Sequence, residues 1–540
     1  MLLDARNIGI SVGERRLFSG VNLRLQVGDR IGLIGANGSG KTTLLNLLAG
    51  ELAPDAGTIL RRCGITYIRQ FSAEEATGNP RELSRYHVVH TLGQGGMSGG
   101  ELTRVKLANA FSGAQPLVFA DEPTANLDAA GVRLLTQQLA ELDSLLLVSH
   151  DRQLLNAVCN RILEIRDGKL WLYEGNYAQY RELREAERSR EREEYTRYIR
   201  ERQRLEAAAQ DMKRRAAHIV NPGKAKRTGN DGLDSPGARS KGSQQKNLQR
   251  AAKAALSRAA ALPEREKPRE QVRMRLDFAL TQPPEGKVML TGKALCFAYG
   301  EREILRNASF LLPNGSHAAL LGPNGCGKTT LLRLIAAGNP GISQAPRCRI
   351  GLMRQDFGDM DPEGTVLDYV MQDSVQSPET VRGVLGSLLF REDAVFRRLG
   401  MLSGGERMRA ALARLVVSSA NLLLLDEPTN YLDIESLEAV QATLRAYAGT
   451  LLFVSHDREF VRAVADRLFL IRDRRIESFP GTLDAYEERQ NPTREDPLIL
   501  RMRLAKLAQE IATGQGDREA LETQYRKTAA QLREAEREKR

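Results

Sequence analysis

The sequence lacks the features that build disulfide frameworks, metal ribbons and membrane spans. Its only cysteines among 540 residues are Cys63, Cys159, Cys296, Cys326 and Cys348. None forms a Cys-x-x-Cys pair, so a disulfide scaffold, a zinc ribbon or an iron–sulfur site is not expected. No apolar run approaches the ~18 residues that a membrane helix needs. The N-terminus, MLLDARNIGI, has no basic-then-apolar signal segment, and we expect a reduced, cytoplasmic protein without an integral membrane segment.

Positive charge is concentrated in one central segment. The formal net charge is +11, and residues 212–258 contain twelve Lys or Arg residues against two acids, Asp231 and Asp234. Nearly the whole excess therefore lies in this segment. A localised excess of this kind indicates a polyanionic partner. A solvated, flexible linker is the alternative that charge alone leaves open.

Four motifs occur twice, in the same order, so the chain contains one domain in two copies. The pairs are GANGSGKTTLL (35–45) with GPNGCGKTTLL (322–332), MSGGE (97–101) with LSGGE (402–406), LVFADEPTANLD (117–128) with LLLLDEPTNYLD (422–433), and LLLVSHDR (145–152) with LLFVSHDR (451–458). In each copy, apolar runs typical of buried parallel strands precede the motifs, and a Leu-rich helical pattern follows the glycine-rich loop. The predicted class is α/β with antiparallel strands in the amino-terminal part of each copy.

An insert and a tail complete the predicted organisation. Residues 180–217, rich in Arg and Glu without proline or glycine, predict a long exposed helix, and residues 241–262 predict a returning helix. Glycines and prolines within 218–240 predict a loop between them. The predicted domains are a first cassette at 1–178, a helical hairpin linker at 179–284 with a basic tip at 218–240, a second cassette at 285–490, and a C-terminal helical extension at 491–540.

The glycine-rich loops predict nucleotide binding. Gly-x-x-x-x-Gly-Lys-Thr between a strand and a helix turns backbone N–H groups toward phosphate oxygens at a helix N-terminus. The lysine reaches the β- and γ-phosphates, and the threonine hydroxyl binds Mg²⁺. The candidate ATP-binding residues are Gly35, Asn37, Gly38, Ser39, Gly40, Lys41, Thr42 and Thr43 in the first copy, and Gly322, Asn324, Gly325, Cys326, Gly327, Lys328, Thr329 and Thr330 in the second.

Carboxylates and histidines at strand ends predict hydrolysis. Asp121 and Asp426 end apolar strands, as expected for a residue that organises Mg²⁺. Glu122 and Glu427 follow directly and can orient or deprotonate a water molecule; a surface acid at a strand end is the alternative. A lone histidine is usually structural. His150 and His456 stand at matching positions in the two copies, which favours contacts to a γ-phosphate.

A second glycine motif predicts that the copies work as a pair. Ser98, Gly99 and Gly100, like Ser403, Gly404 and Gly405, precede an Arg/Leu/Ala helix and build another anion-binding helix N-terminus. Each domain already has its own phosphate loop. The additional site is useful when it closes over a nucleotide held by the other copy.

Together these motifs resemble those of ATP-binding cassette ATPases, over residues 1–175 and 285–490. The resemblance implies an intramolecular head-to-tail sandwich in a monomer. ATP on Lys41, Thr42, Asp121, Glu122 and His150 would be closed by Ser403 and Gly405, and ATP on Lys328, Thr329, Asp426, Glu427 and His456 by Ser98 and Gly100. Gln70 and Gln355 match the glutamine that senses the metal and the γ-phosphate. Tyr299 matches the aromatic that stacks on adenine, whereas the first copy has Val12 there.

Fused cassettes with a charged helical linker look like the ABC-F group, which acts on ribosomes. The interval between Gln70 and Ser98 is too short for the arm subdomain of housekeeping members, and this is similar to antibiotic-resistance members of the Vga/Msr/Lsa kind. The resemblance implies binding at the exit-tRNA site, with linker residues 212–258 contacting rRNA and P-site tRNA, and the tip acting near the peptidyl-transferase centre. The alternatives are a housekeeping translation factor, the ATPase subunit of an efflux transporter, and a regulatory or DNA-linked role.

Overall fold

The computed structural model of the protein describes most of the chain. The described residues are 1–13, 15–69, 105, 107–108, 110–111, 115–124, 127, 129–220, 236–265, 276–300, 302–353, 358, 360–390, 392–490, 497–513, 521, 524–526, 528–529 and 532. They form two compact units. One contains Met1–Leu172 with Val272–Arg540, and the other is Tyr173–Gln271.

The first cassette combines an antiparallel sheet with a mainly parallel one. Its elements are β1 (Leu3–Val12), β2 (Arg15–Leu25), β3 (Arg30–Gly35), α1 (Lys41–Ala49), β4 (Ala56–Arg61), β5 (Ile65–Ile68), β6 (Leu117–Asp121), α2 (Ala129–Ala140), β7 (Leu145–Val148), α3 (Arg152–Val158), β8 (Arg161–Arg166) and β9 (Lys169–Glu174). β1 pairs antiparallel with β2 and β4. The larger sheet has the order β5-β6-β7-β3-β8-β9, and β3 lies parallel to both β7 and β8.

The linker unit consists of α4 (Tyr177–Val220) and α5 (Pro236–Ala260). Both helices of the predicted hairpin are therefore confirmed, although α5 begins five residues earlier than expected. The loop predicted at 218–240 includes Pro236 and Gly237, but proline is well suited to the first position of a helix because its missing N–H has no partner there. Ala209 packs with Ala252 and Ala255, so small side chains let the helices approach closely. Residues 221–235, most of the predicted basic tip, lie outside the described residues.

The second cassette repeats this plan, and between Met353 and Leu422 the structure also describes three α-helices. Its strands are β10 (Val288–Tyr299), β11 (Arg302–Pro313), β12 (His317–Leu321), β13 (Ile342–Gln344), β14 (Ile350–Met353), β15 (Leu422–Asp426), β16 (Thr450–Val454), β17 (Arg467–Arg472) and β18 (Arg475–Phe479). Its helices are α6 (Lys328–Ala336), α7 (Val366–Met371), α8 (Pro378–Ser387), α9 (Gly404–Val417), α10 (Ile434–Arg445), α11 (Arg458–Val464) and α12 (Leu483–Gln490). The strand orders are β11-β10-β13 and β14-β15-β16-β12-β17-β18.

The central strands are apolar along their length because both faces of the sheet are covered. Every residue of β6, β7, β15 and β16 is buried, which explains why these runs are continuous rather than alternating. Among the described residues, one core cluster lies between the two sheets of the first cassette, an equivalent cluster lies in the second cassette, and a further cluster of the second cassette lies under α7–α9. The predicted α/β class and antiparallel strands are confirmed.

The carboxyl-terminal extension begins with α13 (Pro497–Thr513). Leu500 and Leu507 lie seven positions apart, hence on one face of the helix, and both are buried. Residues 514–520 of the extension lie outside the described residues. Among the helices that the structure describes, none is long and apolar enough to cross a membrane.

Candidate functional site

Each glycine-rich loop is a tight turn between the central strand and the next helix. In the first cassette it connects β3 to α1, and Gly40 has a φ of 97°, in the left-handed region that favours glycine. A Cβ at Gly40 would lie 2.7 Å from Phe18 Cζ. The equivalent Gly327 has a φ of 105°, and its Cβ would lie 2.4 Å from Ile304 Cγ2. Both turns require glycine and present backbone N–H groups at a helix N-terminus, a cradle that suits a phosphate chain.

The loop lysines lie inside their own turns. Lys41 Nζ donates to the carbonyl oxygen of Gly35 at 2.8 Å, and Lys328 Nζ donates to that of Gly322 at the same distance. Both side chains are buried. Burial lowers the pKa of Lys41, and the nearby Glu122 carboxylate opposes this shift. The structure thus places a buried cationic group in each cradle.

In each cassette, the hydroxyl of the threonine after the loop lysine meets the carboxylate of the aspartate that ends a central strand. Thr42 Oγ1 donates to Asp121 Oδ2 at 2.7 Å, and Thr329 forms the same hydrogen bond with Asp426. Burial raises the pKa of Asp121, whereas the bond from Thr42 lowers it. Two oxygen donors beside a phosphate cradle fit Mg²⁺, which binds one or two protein oxygens together with phosphate oxygens.

Glu122 and Glu427 occupy an unusual backbone conformation where β6 and β15 end. Their φ angles are 47° and 51°, a region that non-glycine residues seldom adopt and that is found at functional sites. Burial is the largest influence on both carboxyl groups and raises the pKa of Glu122 to about 8 and that of Glu427 to about 7. A carboxyl group with a raised pKa can accept a proton from water near neutral pH.

Each glutamate is paired with a histidine from the loop after the next strand. His150 N donates to Glu122 Oε2 at 3.3 Å, and Nε2 of His150 lies 3.3 Å from Glu122 Oε1. His456 and Glu427 repeat both distances. Burial lowers the pKa of His150 to about 3, so its ring is neutral. His150 Nδ1 is buried without a hydrogen-bond partner among the described residues, and it remains available to a ligand.

The second cassette contacts the phosphate loop of the first. Asn37 N donates to Asp433 Oδ2 at 2.6 Å, and Asn37 Nδ2 donates to the carbonyl oxygen of Tyr431 at 2.7 Å. A Cβ at Gly405 would lie 3.2 Å from Asn37 Nδ2 and 2.5 Å from Tyr431 O. The Ser403–Gly405 segment therefore faces the loop that contains Lys41, as a head-to-tail pairing of the cassettes requires.

One cavity of about 2380 Å³ is lined by residues of both predicted nucleotide sites, although Gly35, Ser39, Gly322 and Cys326 do not line it. From the first set it is lined by Lys41, Thr42, Asp121, Glu122, His150, Ser403 and Gly405, and from the second by Tyr299, Lys328, Thr329, Asp426, Glu427 and His456. Val12 lines it as well. Gln70, Ser98, Gly99, Gly100 and Gln355 lie outside the described residues.

Val12 and Tyr299 hold equivalent positions in the two cassettes. Each is the last residue of its strand, β1 or β10, and each pairs with the first residue of the next strand. Their side chains are 57% and 53% exposed. The Tyr299 ring contacts Phe297 edge-on, with 5.0 Å between ring centroids. One nucleotide pocket thus has an aromatic surface where the other has an aliphatic one.

Tyr431 and Asp433, which contact Asn37, are not among the site residues predicted from the sequence. Two hydrogen bonds between the cassettes were not predicted either: Arg152 Nη2 donates to Gln441 Oε1 at 3.2 Å, and Gln153 Nε2 donates to Glu459 Oε1 at 3.3 Å. A signal was present for Asp433, since Leu-Asp ends the duplicated motif in both copies. Asp128, its counterpart, lies outside the described residues.

Comparisons with known proteins agree with this geometry. The sequence profile described as ABC transporter matches residues 18–79 and 305–430. "Ribosome protection protein VmlR" of Bacillus subtilis (strain 168) is 32% identical over 504 residues, covering 88% of each chain. "Erythromycin resistance ATP-binding protein MsrA" of Staphylococcus epidermidis is 35% identical over 447 residues, covering 81% of this chain and 91% of that protein. The solved structure "RNase-L Inhibitor" has the same fold, with a TM-score of 0.59 at 19% identity over 90% of this chain and 93% of that chain.

Proposed function

Because the chain belongs to the ABC-F family of proteins with two ATP-binding cassettes, we propose that it acts on the bacterial ribosome. Like its relatives, it is an ATPase. The observation that carries the ribosomal role is the similarity to a ribosome protection protein over 88% of this chain. The basic hairpin between the cassettes supports the same role because its positively charged side chains can bind the phosphates of RNA.

The residues of the cavity have complementary parts in ATP hydrolysis. Lys41 and Lys328 bind the phosphate chain in the glycine cradles. Thr42 with Asp121, and Thr329 with Asp426, hold Mg²⁺, which supplies charge neutralisation at the phosphates when bound. Gln70 and Gln355 complete these sites. Glu122 and Glu427 each take a proton from the attacking water, the neutral His150 ring donates a hydrogen bond toward the γ-phosphate, and His456 contacts the γ-phosphate in the second pocket.

ATP closes the two cassettes as a clamp. The nucleotide on the loop of one cassette is completed by the Ser-Gly-Gly segment of the other, Ser403 and Gly405 for the first pocket, Ser98 and Gly100 for the second. Binding energy then favours the closed arrangement, and hydrolysis releases it. Closure fixes the ends of the linker, which we assign to residues 179–284, with the first cassette at 1–178, the second at 285–490 and the extension at 491–540.

The linker hairpin is the element that acts on the ribosome. Its first helix has 44 residues, about 66 Å at 1.5 Å per residue. On the returning helix, Lys246, Arg250 and Lys253 are exposed at a spacing that places them on one face. We assign to this hairpin contacts with rRNA and P-site tRNA from the exit-tRNA site, and resistance to a ribosome-targeting antibiotic through its tip near the peptidyl-transferase centre.

The test is co-sedimentation with 70S ribosomes and, separately, with anionic lipid vesicles. We expect the protein bound to a non-hydrolysable ATP analogue to sediment with ribosomes and to dissociate as salt is raised, because phosphate contacts release counterions. Replacing Lys246, Arg250 and Lys253 by alanine lowers ribosome binding and leaves basal ATPase activity intact. The matched control replaces Arg202 and Arg204, which are already paired with Glu206 and Glu201. Sedimentation with vesicles alone would instead favour the ATPase subunit of an efflux transporter.

A further inference from the structure

The hydroxyl of Ser403, in the segment that faces the first phosphate loop, is held by a carboxylate of its own helix. Ser403 Oγ donates to Glu406 Oε2 at 2.8 Å, and Ser403 N donates to the same oxygen at 2.9 Å. Glu406 N donates back to Ser403 Oγ at 3.3 Å. This capping box stabilises the start of α9. A hydroxyl has one proton, so Glu406 and a phosphate oxygen compete for it.

The other carboxylate oxygen of Glu406 accepts a hydrogen bond from a residue outside α9. Arg397 Nη1 donates to Glu406 Oε1 at 3.2 Å. Arg397 lies in the exposed turn before α9, and the Arg397 and Glu406 side chains are 58% and 24% exposed. The guanidinium partly neutralises the carboxylate and withdraws charge from the oxygen that holds Ser403. One chain of contacts therefore connects the surface of the second cassette to the cavity.

We propose that Glu406 and Arg397 are positioning residues that set how readily Ser403 closes over ATP bound at Lys41. The proposal rests on ATP binding in that pocket and is independent of ribosome binding. Glu406 opposes closure in two ways, because it holds the Ser403 proton and because it adds negative charge near the phosphates. Arg397 counteracts both effects. The two residues therefore act in opposite directions on the same step.

The experiment measures equilibrium ATP binding to the full-length protein carrying Lys328→Ala, so that the pocket containing Lys41 dominates. Glu406→Gln keeps an oxygen for the capping box and removes the charge. We expect it to lower the half-saturating ATP concentration about fivefold, because a charge-assisted hydrogen bond is about twice as strong as a neutral one. Arg397→Ala should raise that concentration about twofold to threefold, in the range of an exposed ion pair, and Arg397→Lys should restore it.

The double variant with Glu406→Gln and Arg397→Ala distinguishes an effect that Arg397 exerts through Glu406 from a general loss of structure. If Arg397 acts through Glu406, then Arg397→Ala has no effect in the Glu406→Gln background, a coupling that a double-mutant cycle measures directly. Arg398→Ala is the matched control, since this neighbouring arginine pairs with Glu363 at 2.6 Å and not with Glu406. Unchanged or weaker ATP binding by Glu406→Gln would overturn the proposal. So would an equal effect of Arg397→Ala in both backgrounds, or an equal effect of Arg398→Ala. Because the assay contains no ribosomes, a failed ribosomal function would not alter its outcome.

Discussion

Replacing Tyr299 by valine gives the second nucleotide pocket the aliphatic surface that Val12 provides in the first pocket. The change is well defined, because Val12 already occupies the equivalent strand end with similar exposure, 57% against 53%. Tyr299 is supported from behind by Phe297, so removing its ring takes away a preformed surface without opening a buried core. The expected loss is therefore confined to contact with the nucleotide base.

The size of the expected loss of ATP affinity depends on how much of the Tyr299 ring is exposed. Stacking of a base on an aromatic side chain is worth about 1–3 kcal/mol. Half of the Tyr299 surface is exposed and valine retains some apolar contact, so we expect a loss of about 1–2 kcal/mol, or about 5-fold to 30-fold in Kd. Phenylalanine in place of Tyr299 should keep nearly all of the affinity, because it retains the ring.

The assay compares ATP with inorganic tripolyphosphate in equilibrium titrations of full-length protein carrying Lys41→Ala, in which the second pocket dominates. Tyr299→Val should weaken ATP binding and leave tripolyphosphate binding unchanged, since tripolyphosphate has no base. The reciprocal Val12→Tyr, in a Lys328→Ala background, should strengthen ATP binding at the first pocket. Equal losses for both ligands, or ATP affinity within twofold of the parent, would refute base stacking on Tyr299.

Substitutions at three further positions, two of them with a control variant, test the site and its framework. In the Lys328→Ala background, which isolates the first pocket, Gly40→Ala should abolish ATP binding because its Cβ meets Phe18, whereas Gly38→Ala, with open space around its Cβ, should retain measurable binding. Asp433→Ala loses both the bond from Asn37 and the cap of α10, about 2–4 kcal/mol in urea unfolding; Asp433→Asn, a good cap, should lose about half of that. Phe453→Ala empties a fully buried site and should cost about 3–5 kcal/mol, with equal stability to the parent contradicting the assigned core.

Local features of the site could be predicted because they lie within short sequence motifs. A continuous apolar run that ends in Asp-Glu fixes a buried strand with its carboxylates at one edge, and β6 and β15 have this form. The glycine spacing fixes the phosphate turn in the same way. The helices of the linker were also predictable, since 38 residues without glycine or proline favour a long helix.

Features that depend on distant parts of the chain could not be predicted. Asn37 and Asp433 are 396 positions apart, and only the folded pairing of the cassettes brings them together. The bond from Arg397 to Glu406 depends on the course of an irregular turn that periodicity does not specify. The strained conformation of Glu122 also has no sequence signal, because glutamate has no preference for positive φ.

The central claim is that ATP holds the protein on the ribosome until hydrolysis releases it. Its most direct test is sedimentation of the Glu122→Gln, Glu427→Gln double variant with 70S ribosomes in ATP. We expect this variant to bind ATP, to hydrolyse it poorly and to remain on ribosomes while the parent protein dissociates. If the variant binds ATP yet sediments free of ribosomes, the clamp is contradicted.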